Sequence, residues 1–200
     1  CFVCHKQRET ESKKVSVHPP VVQGRCLTCH EVHNSPNEFL LKSPRPGICF
    51  SCHDRKQFSR ANVHAPVKVG CSSCHVDHGS DIKFLLKQDE DGLCLSCHKN
   101  DSAAFRKSHR DYPVQGKCTL CHNPHSSDGL HLLKSVVHKP VVEGKCAGCH
   151  QLGKEGKLQV KGNANAGCLA CHPRSNKKMT SQHKPFLEGL CLKCHAPHAS

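Results

Sequence analysis

The chain has 200 residues and a mass of 22.0 kDa, and its 29 Lys and Arg against 16 Asp and Glu leave a formal charge of +13. With no Trp, one Tyr, seven Phe and a mean hydropathy of −0.54, it carries too little apolar matter for a conventional core of this size. No run reaches 18 apolar residues, so no segment reads as a membrane-spanning helix.

From the first residue onward, all 18 cysteines fall in nine copies of Cys-x-x-Cys-His. The first four are CFVCH (Cys1, Cys4, His5), CLTCH (Cys26, Cys29, His30), CFSCH (Cys49, Cys52, His53) and CSSCH (Cys71, Cys74, His75). CLSCH (Cys94, Cys97, His98) and CTLCH (Cys118, Cys121, His122) follow. The last three are CAGCH (Cys146, Cys149, His150), CLACH (Cys168, Cys171, His172) and CLKCH (Cys191, Cys194, His195). This motif reads as a c-type haem attachment site. The two thiols form thioethers to the haem vinyls, and the next residue stands where it can ligate the iron. Zinc knuckles, redox dithiols and disulfides also use Cys-x-x-Cys, but none needs a histidine directly after it. Chance would supply all nine with odds on the order of one in a billion. No βαβ pattern surrounds any copy, which disfavours a thioredoxin-like site.

Haem faces would then supply the missing apolar core, and folding would be coupled to haem attachment. The expected architecture is mostly irregular, with short helices, little or no sheet, and one continuous nine-haem array. Each motif should form a short helical turn that brings both cysteines to one side. Glycines ahead of motifs, such as Gly24 and Gly144, suit entry turns. Segments such as His64-Ala65-Pro66 should be extended, because a residue before Pro avoids the α region. Residues 151–167 read as an exposed loop or small hairpin. The Leu pairs 40–41, 85–86 and 132–133 read as haem-packing residues.

A longer pattern overlies the motifs. Residues 18–60 run H-P-P-V-V-Q-G-R-CLTCH-E-V-H, then F-L-L-K, then G-I-CFSCH. Residues 64–107 repeat it as H-A-P-V-K-V-G-CSSCH-V-D-H, F-L-L-K, G-L-CLSCH. In these features the chain resembles the doubled-CXXCH family of multihaem cytochromes c. That resemblance implies covalent haem c, a location outside the cytoplasmic membrane (periplasmic, cell-surface or extracellular), and electron transfer along closely spaced haems. The pseudo-repeats fall at about 1–17, 18–63, 64–108, 109–137, 138–182 and 183–200. The third complete-looking unit lacks its second motif, and Gly153 stands where His150 should be followed by a histidine. The chain begins and ends mid-pattern, as a processed or partial array would.

Nine histidines besides the proximal ones occupy repeat positions. Five lead their motifs by seven to nine residues: His18, His64, His109, His138 and His183. Four lie three residues after a proximal histidine: His33, His78, His125 and His198. The tenth, His131, aligns with Phe39 and Phe84. Nine distal candidates for nine irons make every haem bis-histidine, with His131 spare. Such irons lack the open position that haem catalysis needs, so no catalytic residue is assigned and no enzyme activity is expected. Met179 reads as a packing or surface residue. If each block satisfies its own ligands, the haem at Cys1 and Cys4 has no local distal histidine while residues 183–200 have one to spare. That imbalance points to a head-to-tail homopolymer, with the same chain folding back or residues outside this chain as the alternatives that imply no polymer.

Nine ferric haems with their propionates bring roughly −9, so the basic charge falls to about +4 and is no nucleic-acid footprint. The expected function is electron transfer as an extracellular or envelope conduit that can polymerise into a filament. The alternatives are a soluble periplasmic carrier or an electron-donating subunit of a redox complex, and then a haem redox enzyme. Expected partners are redox donors and acceptors, proteinaceous or extracellular.

Overall fold

The structure, a computed structural model, describes residues 1–174 and 180–200. Met179 lies outside the described residues. The architecture is irregular chain punctuated by short turns, as expected. The longest described helices have six residues, for example Lys6–Glu11 and Glu90–Leu95. The chain forms two compact units. One comprises Cys1–His98 with Asn123–Leu132, the other Lys99–His122 with Leu133–Ser200.

In the first unit, strand β1 (Ser16–Val17) pairs antiparallel with β3 (Gly79–Ser80), and β2 (Asn62–Val63) pairs with β4 (Ser126–Ser127). The register matches in both: Val17 faces Gly79 and Val63 faces Ser126. In the second unit the equivalent contact is a bridge between Val137 and Ala199. There, β5 (His150–Leu152) and β6 (Leu158–Val160) form the small hairpin expected in this stretch. So residues preceding a leading histidine lie three times against the residues that follow a histidine of the third-after-proximal class.

Six of the nine motifs form 3-10 turns, as at Cys26–Thr28, Cys71–Ser73 and Cys191–Lys193, while those at Cys94 and Cys168 continue the α-helices Glu90–Leu95 and Ala164–Leu169. In eight of nine motifs the histidine N–H donates to the first cysteine's carbonyl, at 2.8–3.1 Å, which closes the turn. The expectation of an extended H-x-P segment holds only for the histidine. His64 has φ −62° and ψ 130°, but the helix Ala65–Val69 starts at once, with Pro66 in its first turn. Proline lacks the N–H that an N-terminal turn leaves unpaired anyway, and its fixed φ suits that position. The helices Pro19–Val22, Lys139–Val142 and Lys184–Leu187 begin the same way. Gly24 ends the first of these with φ +65°, where Arg25 N–H can reach back to Pro20 O.

The F-L-L-K segments are tight turns with a left-handed residue: Phe39 at φ 57° and Phe84 at φ 61°, with His131 at φ 56° in the equivalent place. Non-glycine residues rarely adopt this conformation, so each turn is held by its surroundings. The following leucines bridge back to proximal histidines: Leu41 to His30, Leu86 to His75 and Leu133 to His122.

The polypeptide's own core is minute. Among the described residues, only Leu41 and Ala199 are buried apolar side chains, beside the buried serines Ser80, Ser126 and Ser127. Ser126 is fully buried; its hydroxyl donates to Gln57 O at 2.8 Å and accepts from Arg60 N–H at 3.3 Å. Ser126→Val should therefore leave buried polar groups unpaired and cost about 1–3 kcal/mol. Chemical denaturation of the haem-loaded protein, followed by circular dichroism in the haem bands, measures this.

Candidate functional site

Each unit brings histidines together in facing pairs. In the first unit the pairs are His18 with His53, His30 with His78, His64 with His98 and His75 with His125. Their ring centroids are 6.0–6.1 Å apart and their planes lie within 15–28° of parallel. In the second unit His138 faces His172 at 6.0 Å, His150 faces His198 at 5.7 Å, and His109 meets His122 at 6.3 Å. That last pair is turned, with 64° between planes.

In the His150–His198 pair the rings meet end to end rather than face to face. The Nε2 atoms of His150 and His198 are 3.5 Å apart while the centroids are 5.7 Å apart, so both nitrogens lie on the line between the rings. At 6.0–6.3 Å the same geometry separates the nitrogens by about 4 Å, which is twice a typical imidazole–metal bond of about 2.0 Å. Each pair joins a proximal histidine to a histidine singled out by its repeat position. The residues present therefore fit a haem iron held between two imidazoles, with covalent attachment through the adjacent cysteines. The group supplies reversible one-electron chemistry when bound.

The chain orients the distal rings with backbone. The leading histidines repeat one arrangement: the N–H of His18, His64 and His138 donates to the carbonyl of His78, His125 and His198, each at 2.9 Å. The Nδ1 of His64 bonds Pro124 O at 2.9 Å, and that of His138 bonds Pro197 O at 3.1 Å; His18 is likewise hydrogen-bonded to the Asp77 backbone. Proximal rings use the F-L-L-K turns. His30 Nδ1 bonds Phe39 O at 2.8 Å, and His75 Nδ1 bonds Phe84 O at 2.9 Å. Such contacts keep Nδ1 protonated and aim Nε2 at the iron. Burial pushes His18, His78, His125 and His198 below the ordinary imidazole range. The facing ring adds to this in all four; for His78 Arg8 adds more, against the opposing carboxylates of Glu11 and Asp77. Each is thus kept neutral, the form that binds metal.

Two environments stand apart. His78 Nδ1 lies 3.3 Å from a Glu11 carboxylate oxygen and 3.0 Å from the Arg8 guanidinium. His150 Nδ1 is buried with no hydrogen-bond partner among the described residues, because the β5–β6 hairpin replaces the F-L-L-K turn that serves His30 and His75. Glu11 was invisible to sequence reasoning, since it lies in the N-terminal piece and belongs to no repeat.

The attachment thiols lie close from one motif to the next. Cys49 hydrogen-bonds Cys71 and Cys168 hydrogen-bonds Cys191. Burial, with Cys71 beside it, pushes the Cys49 thiol up to about 11. No cysteine is in a disulfide, and no cluster of three or more His, Cys, Asp or Glu that could hold a metal ion exists among the described residues.

The remaining predicted ligands are not brought together. Among the described residues His5, His33, His183 and His195 have no facing imidazole. The block-by-block ligand balance expected from sequence also fails: His125 faces His75 and His198 faces His150, each crossing a block boundary, which leaves His33 over.

Two outcomes follow from the pair geometry. Near-parallel imidazole planes across ferric low-spin haem give rhombic EPR spectra, and strongly crossed planes give an isolated large-g feature. One haem, that of His109 and His122, should show the second signature, and His109→Phe should abolish it. Glu11→Gln removes a carboxylate that favours the ferric state through His78. It should raise one haem potential, by on the order of 60 mV if that preference is worth about 1.4 kcal/mol. Spectroelectrochemical titration reads the shift.

Comparison with known proteins agrees with this geometry. The family model for the doubled CXXCH motif matches residues 18–58, 64–103, 112–136 and 138–177. A 69-residue stretch is 35% identical to the multihaem cytochrome MtrA of Shewanella baltica (strain OS185), covering 34% of this chain and 21% of that protein. The match thus spans about a fifth of the relative's length. Among the described residues, no helix is long and apolar enough to cross a membrane. With nine attachment motifs, seven facing histidine pairs and a family model covering most of its length, the chain is a member of the doubled-CXXCH family of multihaem c-type cytochromes.

Proposed function

We propose that the chain holds nine haem c groups in one continuous array and passes electrons along them in the order of its motifs, as an envelope or extracellular conduit. The observation that carries this reading is the set of seven facing imidazole pairs, which leaves those irons no free coordination position. Electron transfer without ligand exchange suits such irons, and substrate chemistry does not. Motif order is supported by the thiol contacts: Cys49 with Cys71 joins the third and fourth motifs, and Cys168 with Cys191 joins the eighth and ninth. The haem propionates offset much of the +13 charge, and the lysines and arginines serve as their partners and as solvated surface.

Pyridine haemochrome assay should give nine haems per chain. His78→Phe should convert one of them to a five-coordinate, high-spin haem, because it removes the ring facing His30. His131→Phe should leave the low-spin spectrum unchanged, because His131 shares the left-handed turn position of Phe39 and Phe84 rather than that of a ligand. A new high-spin signal from His131→Phe would overturn the ligand assignment.

A further inference from the structure

Three of the facing pairs follow one plan, and one of the three lacks a part of it. His30 with His78, His75 with His125 and His150 with His198 each join the histidine of a doubled unit's first motif to one of the third-after-proximal class. Behind His30 and His75 the chain closes in the same way. Lys42 N–H returns to Cys29 O at 2.9 Å, and Lys87 N–H returns to Cys74 O at 3.0 Å. Three residues before each lysine stands the left-handed phenylalanine whose carbonyl holds Nδ1 of the ring.

After His150 the closure is kept and its contents are changed. Lys161 N–H returns to Cys149 O at 2.9 Å. Three residues before it stands Leu158, which lies in the strand β6 instead of a left-handed turn. Residues 151–160 fill this interval, one fewer than residues 31–41 or 76–86 supply in the other two. Gly153 belongs to the same change. Its N–H donates to Lys157 O at 2.8 Å, and a Cβ there would collide with the Gln159 carboxamide. The hairpin that leaves no room for a histidine at this position also withdraws the carbonyl. Nδ1 of His150 is left buried with no partner among the described residues.

An Nδ1–H that donates to an acceptor makes its imidazole a stronger electron donor at Nε2, and a stronger donor favours the ferric state. Withholding the acceptor favours the ferrous state. Across from His30 the opposite holds, because His78 has the Glu11 carboxylate behind it. We propose that the β5–β6 hairpin is a potential-setting element. By leaving His150 without an acceptor it makes the His150–His198 site the most easily reduced of the three, while Glu11 and the Phe39 carbonyl make the His30–His78 site the least. This rests on the bis-histidine reading of the pairs. Reduction adds one electron from a redox donor at the iron, and both imidazoles stay bound. Among these three sites an electron therefore settles at the seventh motif.

The test is a potentiometric titration of the haem-loaded protein followed by EPR, compared with three variants that each delete one distal ring of the same class. His78→Phe, His125→Phe and His198→Phe should each remove one low-spin component. The component lost in His198→Phe should have the most positive midpoint of the three, and that lost in His78→Phe the most negative. A chimera in which residues 151–160 are replaced by a copy of residues 76–86 carrying His78→Gly returns a carbonyl to Nδ1 of His150. It should move the His198-dependent component to more negative potential and leave the other two in place. A His198-dependent midpoint at or below the His125-dependent one would overturn the inference, and so would a haem-loaded chimera with no shift. If the chimera fails to load haem, the order of the three midpoints decides alone. Single variants that keep every low-spin component would instead remove the bis-histidine reading, and the inference with it.

Discussion

Two imidazole nitrogens must face each other across about 4 Å for an iron to sit between them, and nearly everything else in this structure serves that requirement. The polypeptide buries almost nothing on its own account. Its turns, bridges and left-handed residues take up positions that make sense as ring holders. The tight helical turn of each motif fixes the following histidine relative to the two thiols. The proline-started helix ends the extended segment at the leading histidine. The F-L-L-K turn supplies the carbonyl that holds His30 and His75 in the right tautomer.

The same contacts bind successive repeats to one another. Where His64 donates its N–H to His125 O, the rings that face His98 and His75 are locked together by a single backbone hydrogen bond. Each such pair also draws one ring from each of two segments tens of residues apart. With so little apolar core, these crossings are the long-range order among the described residues.

The sites are built alike but not made equal. His78 faces a carboxylate, His30 and His75 face backbone carbonyls, and His150 buries a bare Nδ1. Partners behind a ligand tune its electron donation. The departures arise where the repeat is broken: at the N-terminal helix that brings Glu11 to His78, and at the hairpin inserted after His150.

The sequence by itself determined the chemistry. Covalent attachment demands two thiols and a following histidine within five consecutive residues, so all nine motifs were legible locally. The irregular fold was legible for a related reason, since the composition has no means of building a conventional core. The distal histidines could be listed from their repeat positions but not paired, because the ligand facing an iron is set by segments tens of residues apart. The assumption that each block satisfies itself seemed the economical one, yet His125 turns to His75 because β2 pairs with β4 and carries that histidine to another repeat. Only the tertiary structure could decide this, since strand pairing between remote segments depends on how the whole chain is wound, not on any motif within it.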